Sequence, residues 1–211
     1  LQRGRIAPES RDPICVLSNF RENAAKDIQE AYSELNKKYA IKKLILDLRN
    51  NPGGVLGAAV GISDLFLQNG KIVETKGRSS NSELKYEATA RDISNGMSIV
   101  VLINEGSASA SEIVAGALQD NKRATILGTK SYGKASVQTI QELSDGSALK
   151  LTTAKYYTPL GKDIHENGII PDVIVEPSED DVVSLPEPHE KDKQLFEAIK
   201  ILSENKVTAI N

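Results

Sequence analysis

The sequence predicts an α/β fold, a core of β-sheets with surrounding helices, carrying a β-hairpin and a C-terminal extension. Three observations lead there. The apolar runs LILDL, SIVVLIN and ATILG, at residues 44–48, 98–104 and 124–128, have the length and branched content of buried strands. Helix-forming segments, roughly residues 55–67 and 111–120, stand between them, so strand, helix and strand alternate. After Lys134 the pattern changes to period two, in ASVQTIQEL and ALKLTTAKYY around the turn Ser144-Asp145-Gly146-Ser147, which marks a hairpin.

Residues 14–17 (ICVL) read as a first strand. The helix after it places Ile28, Ala31, Tyr32 and Leu35 at helical spacing, takes Asn23 as N-cap, and turns KDIQE and ELNKK to water. LILDL ends at the breaker cluster Asn50, Asn51, Pro52, Gly53 and Gly54. Between residues 70 and 95, IVET and ELKYEAT read as short strands around a polar turn. VIVE follows Pro171 and Asp172 as a last strand. The acidic, proline-containing stretch 176–190 reads as a linker, and an amphipathic helix around residues 195–202 is expected to pack on the core or on a second subunit.

A chain of 211 residues, 39% hydrophobic and 26% charged, is long enough to bury a real core. Its net charge of -3 gives no reason to expect a nucleic-acid partner, since such proteins carry basic stripes. No apolar run approaches the roughly 20 residues that cross a bilayer. The single cysteine, Cys15, excludes an intrachain disulfide and sits in an apolar run as a small core residue.

Two motifs carry chemistry. The segment from Gly106 to Glu112, GSASASE, joins a buried strand to a helix starting near Ala110, the junction at which α/β folds expose a nucleophile. Small residues give a substrate carbonyl access, and the helix N-terminus favours an oxyanion. Ser109 with Glu112 also fits a capping box, so a purely structural role stands beside the catalytic one, although a cap does not explain three serines. The second motif is GTKSYGK, residues 128–134, followed by a period-two strand in which Lys134, Ser136 and Gln138 would share one face. A lysine serves as base when desolvation favours its neutral form, and a glutamine can orient the amine without adding charge, an arrangement suited to a Ser/Lys dyad. The plain alternative is a surface lysine on a hairpin. A phosphate-binding loop is the remote one: the segment matches the first seven positions of that pattern, but Ala135 replaces the magnesium-holding hydroxyl and no helix is predicted to follow.

LILDLRNNPGG, INEGSASASEIVAGALQDNKRA, GTKSYGKASVQT and LTTAKYYTPLGKDIHENGIIPDVIVE together resemble the carboxyl-terminal processing peptidases, also called tail-specific proteases, over residues 14–176. The resemblance implies a crotonase-like spiral core, Ser109 as nucleophile, Lys134 as base and Gln138 as its support. It implies oxyanion donors among the backbone N–H groups of Gly53, Gly54 and Ala110. Asp120 matches an acidic position implicated in some members, with a helix-exit role equally open. No metal or cofactor is implied. Partners would be protein or peptide substrates with accessible C-terminal tails, with a homo-oligomer such as a dimer expected, in an extracytoplasmic, periplasmic or membrane-associated setting.

The family commonly has glycine where this chain has Ala135, and its members normally carry a PDZ domain ahead of the core. Residues 1–13 read as a remnant following such a domain, residues 14–176 as the protease core, and 177–211 as acidic linker and helix. A histidine triad is disfavoured because the two histidines, His165 and His189, fall in a turn and in the linker. A rival from another class is a latent or inactive core serving as a dimerisation or peptide-docking scaffold.

Overall fold

The computed structural model describes residues 5–6, 13–78, 83–178 and 192–204. In chain order its elements are β1 (Arg5–Ile6), β2 (Pro13–Val16), α1 (Ala24–Tyr39), β3 (Lys43–Asp47), α2 (Leu56–Asp64), β4 (Lys71–Gly77), β5 (Leu84–Glu87), β6 (Ser98–Ile103), α3 (Ala110–Asp120), β7 (Thr125–Gly128), β8 (Ser136–Glu142), β9 (Ala148–Tyr157), β10 (Val173–Ile174) and α4 (Lys193–Ser203).

The apolar runs form the first sheet, ordered β1-β2-β3-β6-β7-β10. It is parallel throughout except for the antiparallel β1–β2 pair. A parallel sheet buries both faces, which is why these strands read as continuous apolar runs. On β3, Leu44 and Leu46 join the cluster that includes Ile28 of α1, Ile62 of α2 and Val114 of α3. Ile45 between them joins Leu195, Ala198 and Leu202 of α4 on the other face. On β6, Ile99, Val101 and Ile103 alternate in the same way with Val100 and Leu102.

The last helix, for which two docking sites were open, packs on this sheet. Arg49, just beyond β3, is buried and spans Asp47 at 2.7 Å and Asp192 at 2.8 Å. Asp192 also caps α4, accepting from the N–H of Leu195 at 3.0 Å. VIVE contributes only Val173–Ile174 as a strand, at the edge of the sheet, with the N–H of Val175 still bonded to the carbonyl of Gly128 at 3.0 Å. Asn23 stands at the N-cap of α1 without a side-chain capping bond. Most of the expected linker, residues 179–191, and of the N-terminal segment, residues 1–4 and 7–12, lies outside the described residues.

The second sheet is antiparallel, ordered β5-β4-β9-β8, with β8 at its edge. Helix α3 contacts β7 of the first sheet and β4 of the second. Every residue from Ala110 to Leu118 is buried, as a helix enclosed on all sides must be. Its N-terminus therefore opens at a junction that the surrounding elements hold rigidly.

Candidate active site

The three serines of the junction have different fates. The hydroxyl of Ser107 donates to the carbonyl of Leu48 at 2.8 Å and accepts from the N–H of Asn104 at 3.0 Å. The hydroxyl of Ser111 donates to the carbonyl of Asn51 at 2.8 Å. Both residues are completely buried. Ser109, between them, is part-exposed and occupies the N-cap of α3 at φ 56° and ψ −112°. A side chain at positive φ costs about 1–3 kcal/mol and persists only where neighbours enforce it.

The enforcement comes from the loop after β3. The carbonyl of Asn51 accepts from the N–H of Ala108 at 3.0 Å as well as from Ser111. The Asn51 side chain accepts from the N–H of Gly53 at 2.9 Å and donates to the carbonyl of Leu17 at 2.5 Å. Gly53 lies against the serine at φ 104°, where a Cβ would stand 2.9 Å from the Cβ of Ser109 and 3.0 Å from the nitrogen of Ala110. Only glycine fits both that conformation and that approach. Of the three expected oxyanion donors, the N–H of Gly53 is thus engaged by Asn51. Those of Gly54 and Ala110 form no hydrogen bond among the described residues.

Glu112 ties the two motifs together. It is 1% exposed, and its carboxylate meets four donors. Oε1 accepts from the hydroxyl of Ser131 and from the N–H of Gly133, each at 2.6 Å. Oε2 accepts from the N–H of Ser109 and from the N–H of Lys134, each at 2.8 Å. The hydroxyl of Ser131 in turn accepts from the N–H of Ile169 at 2.6 Å. The capping box with Ser109 therefore exists, and the same carboxylate also holds the loop that carries Lys134.

This clasp corrects two expectations about Lys134. The lysine stands two residues before β8, so only Ser136 and Gln138 share a strand face, because Glu112 draws residues 133 and 134 toward α3. Its side chain is exposed rather than desolvated, and its Nζ makes no hydrogen bond or ion pair among the described residues. Gln138 is exposed on the edge strand as well. Ala135 turns inward and is fully buried in the main core. The element that follows Lys134 is strand β8 rather than a helix, so the remote phosphate-loop alternative lacks its cradle.

Asp120 lies at the opposite end of α3. It accepts from the N–H of Leu160 at 3.0 Å and from the Nζ of Lys162 at 3.1 Å, fixing the turn after β9. His165 stands in a turn with its side chain 40% exposed, and His189 is outside the described residues. Cys15 is buried, and desolvation pushes its thiol up to about 12. The residues that sequence reasoning missed are Asn51, Ser131 and the second role of Glu112. A lone carboxylate in the otherwise apolar start of a buried helix was the available signal.

Residues 14–175 match the description Peptidase family S41. The chain belongs to this family. The S41 chain is 52% identical over 163 residues to the carboxy-terminal-processing protease of Bartonella bacilliformis, an overlap covering 76% of this chain and 38% of that protein. It is 48% identical over 160 residues to the carboxyl-terminal-processing protease of Synechocystis sp., covering 76% and 37%. Among solved structures, the photosystem II D1 C-terminal processing protease superposes with a TM-score of 0.73 at 33% identity, covering 98% of this chain and 51% of that one. The S41 chain thus spans less than two fifths of these two curated relatives and about half of the solved structure.

Proposed function

We propose that this chain is the catalytic core of a serine endopeptidase that cleaves protein or peptide substrates near their C-termini. Ser109 would be the nucleophile and Lys134 its base. The observation that carries the reading is the selection among the three serines. Two are buried anchors, and the third is part-exposed at positive φ on a strand-to-helix turn, the conformation of a nucleophile presented for attack.

Lys134 takes the proton of Ser109, and the alkoxide adds to the scissile carbonyl. The N–H groups of Gly54 and Ala110, which bond nothing among the described residues, hold the oxyanion, helped by the N-terminus of α3. Expulsion of the amine leaves an acyl-enzyme that water releases. The backbones of Ser109 and Lys134 share one carboxylate oxygen, so their nitrogens lie no more than twice 2.8 Å apart. A four-carbon stem can cross such a gap by rotation alone. A substrate lying over the exposed Lys134 would exclude water from the amine, and Gln138, exposed four residues on, would serve as its orienting group. The run of parallel strands with intervening helices favours a crotonase-like description of the core. An extracytoplasmic location and a homo-oligomeric state belong to the same proposal. So do the division into remnant, core and extension, and a separate substrate-capturing domain.

The test uses an unfolded protein with an accessible C-terminal tail. Ser109→Ala and Lys134→Ala are each expected to abolish cleavage with circular dichroism unchanged, and undiminished cleavage by either variant sinks the assignment. A lysine accepts a proton only after losing its own, so labelling of Ser109 by a fluorophosphonate is expected to rise with pH and to be absent in Ser109→Ala.

A further inference from the structure

We propose that Glu112 is a positioning residue for the reaction, setting the place of Lys134 relative to Ser109 by clasping both backbones with one carboxylate. The inference rests on the dyad reading above and adds to it a residue that touches neither substrate nor reacting atoms.

For a helix cap alone Glu112 would need to accept one bond, from the N–H of Ser109. Glu112 makes three more, to the hydroxyl of Ser131 and the N–H groups of Gly133 and Lys134, from residues 19 to 22 positions further along the chain. A carboxylate is acceptor-only, and here four donors satisfy it. It is 1% exposed and forms no ion pair among the described residues, so nothing but these bonds offsets its burial. The bonds are charge-assisted, about twice as strong as neutral ones, and they converge from two elements that no strand pairing connects.

What the clasp fixes is the main chain. Residues 129–135 are an irregular stretch between β7 and β8, with Gly133 at φ 90° against the backbone of Glu166. Without Glu112, the N–H of Gly133 would be buried with no acceptor and that of Lys134 would lose its part-buried one, and the loop would shift to satisfy them. Lys134 would then swing from an origin displaced relative to Ser109. With the clasp in place, the remaining freedom is the lysine side chain itself, which is exposed and has no partner among the described residues, and so can turn onto the serine when substrate arrives.

Glu112→Gln keeps shape and size but replaces two acceptor sites with a donor. The rate of Ser109 labelling by a fluorophosphonate is to be measured in the wild-type chain, Glu112→Gln, Lys134→Ala and the double variant. Glu112→Gln is expected to label about a hundredfold more slowly, the scale of a reacting group misplaced by about an ångström. In the Lys134→Ala background the same substitution is expected to cost nothing further, because a residue acting through the base has nothing left to position. A wild-type chain that does not label defeats the dyad reading itself. Labelling by Glu112→Gln at the wild-type rate defeats the positioning role alone. Equal slowing with and without Lys134 also overturns it, by showing that Glu112 serves the fold or Ser109 only. Should Glu112→Gln not fold, Ser131→Ala removes one donor from the clasp; about a tenfold loss confined to the Lys134 background is expected, and a wild-type rate overturns the proposal.

Discussion

Ser109 pays for its presentation with backbone strain, and the strain is measurable. At φ 56° and ψ −112°, any Cβ is disfavoured, so Ser109→Ala keeps the strain while Ser109→Gly releases it. After allowing for the greater freedom of an unfolded glycine, Ser109→Gly is expected to be about 1 kcal/mol more stable than Ser109→Ala in urea unfolding, with neither variant reactive toward a serine probe. Greater stability of the alanine variant would mean that the turn stores no strain. Cys15 is a second residue with a defined signature. Burial raises its thiol from the ordinary range near 9.0 to about 12. Between those values the unfolded chain has released a proton that the folded one retains, so stability is fully present below pH 9 and falls as pH rises toward 12. The loss is expected to reach about 4 kcal/mol, from a 1.36 kcal/mol cost per unit, and to vanish in Cys15→Ala. Equal alkaline losses in both chains would dissociate the effect from this thiol.

At the scale of elements, α4 is fixed to the sheet by apolar burial and by a buried ionic clamp. Burial alone would lower the pKa of Arg49, but hydrogen bonds and charge from Asp47 and Asp192 outweigh it, so the pKa is raised and the guanidinium stays charged. Removing one carboxylate leaves part of that charge uncompensated in a dry site. Asp192→Ala also deletes the cap on Leu195, so a loss of about 3 kcal/mol is expected in denaturant unfolding, with Asp192→Asn less damaging because the amide oxygen can still cap. A loss below about 1 kcal/mol for the alanine variant would show that the apolar face of α4 suffices.

For the whole molecule, order is expected to be uneven. β3 and β6 are enclosed on both faces, whereas residues 140–153 of the β8–β9 hairpin are exposed, with Ile140 at 66% and Leu149 at 47%. Amide exchange is therefore expected to be slowest in β3 and β6 and to proceed in the hairpin by local opening, independent of global unfolding. Hairpin amides as protected as those of β6 would contradict that picture and point to a covering partner. Three of the four donors of the Glu112 clasp, from Ser131, Gly133 and Lys134, lie just before the hairpin, where the enclosed part of the molecule gives way to the exposed one.

Much of this was legible in the sequence, for reasons that differ by feature. LILDL and SIVVLIN became β3 and β6 within a residue or two, because two-sided burial leaves an unbroken apolar run. The Asn-Asn-Pro-Gly-Gly cluster had to be a loop, and the Ser109–Glu112 cap is four residues long; both are local arrangements that local sequence specifies. Three features were settled only by the folded chain. Glu112 reaches residues that the sequence separates by about twenty positions, Lys134 lies off the strand and in solvent, and α4 chose the sheet because Arg49 and Asp192, 143 positions apart, meet there. The sequence by itself determined the residue types for the chemistry and the strand-to-helix turn that presents Ser109, since these depend on neighbours in the chain. Only the tertiary structure decided which serine is part-exposed, which glycine N–H has no partner among the described residues and what holds the backbone of Lys134 near that of Ser109, since burial and hydrogen-bond satisfaction depend on groups brought together by the fold.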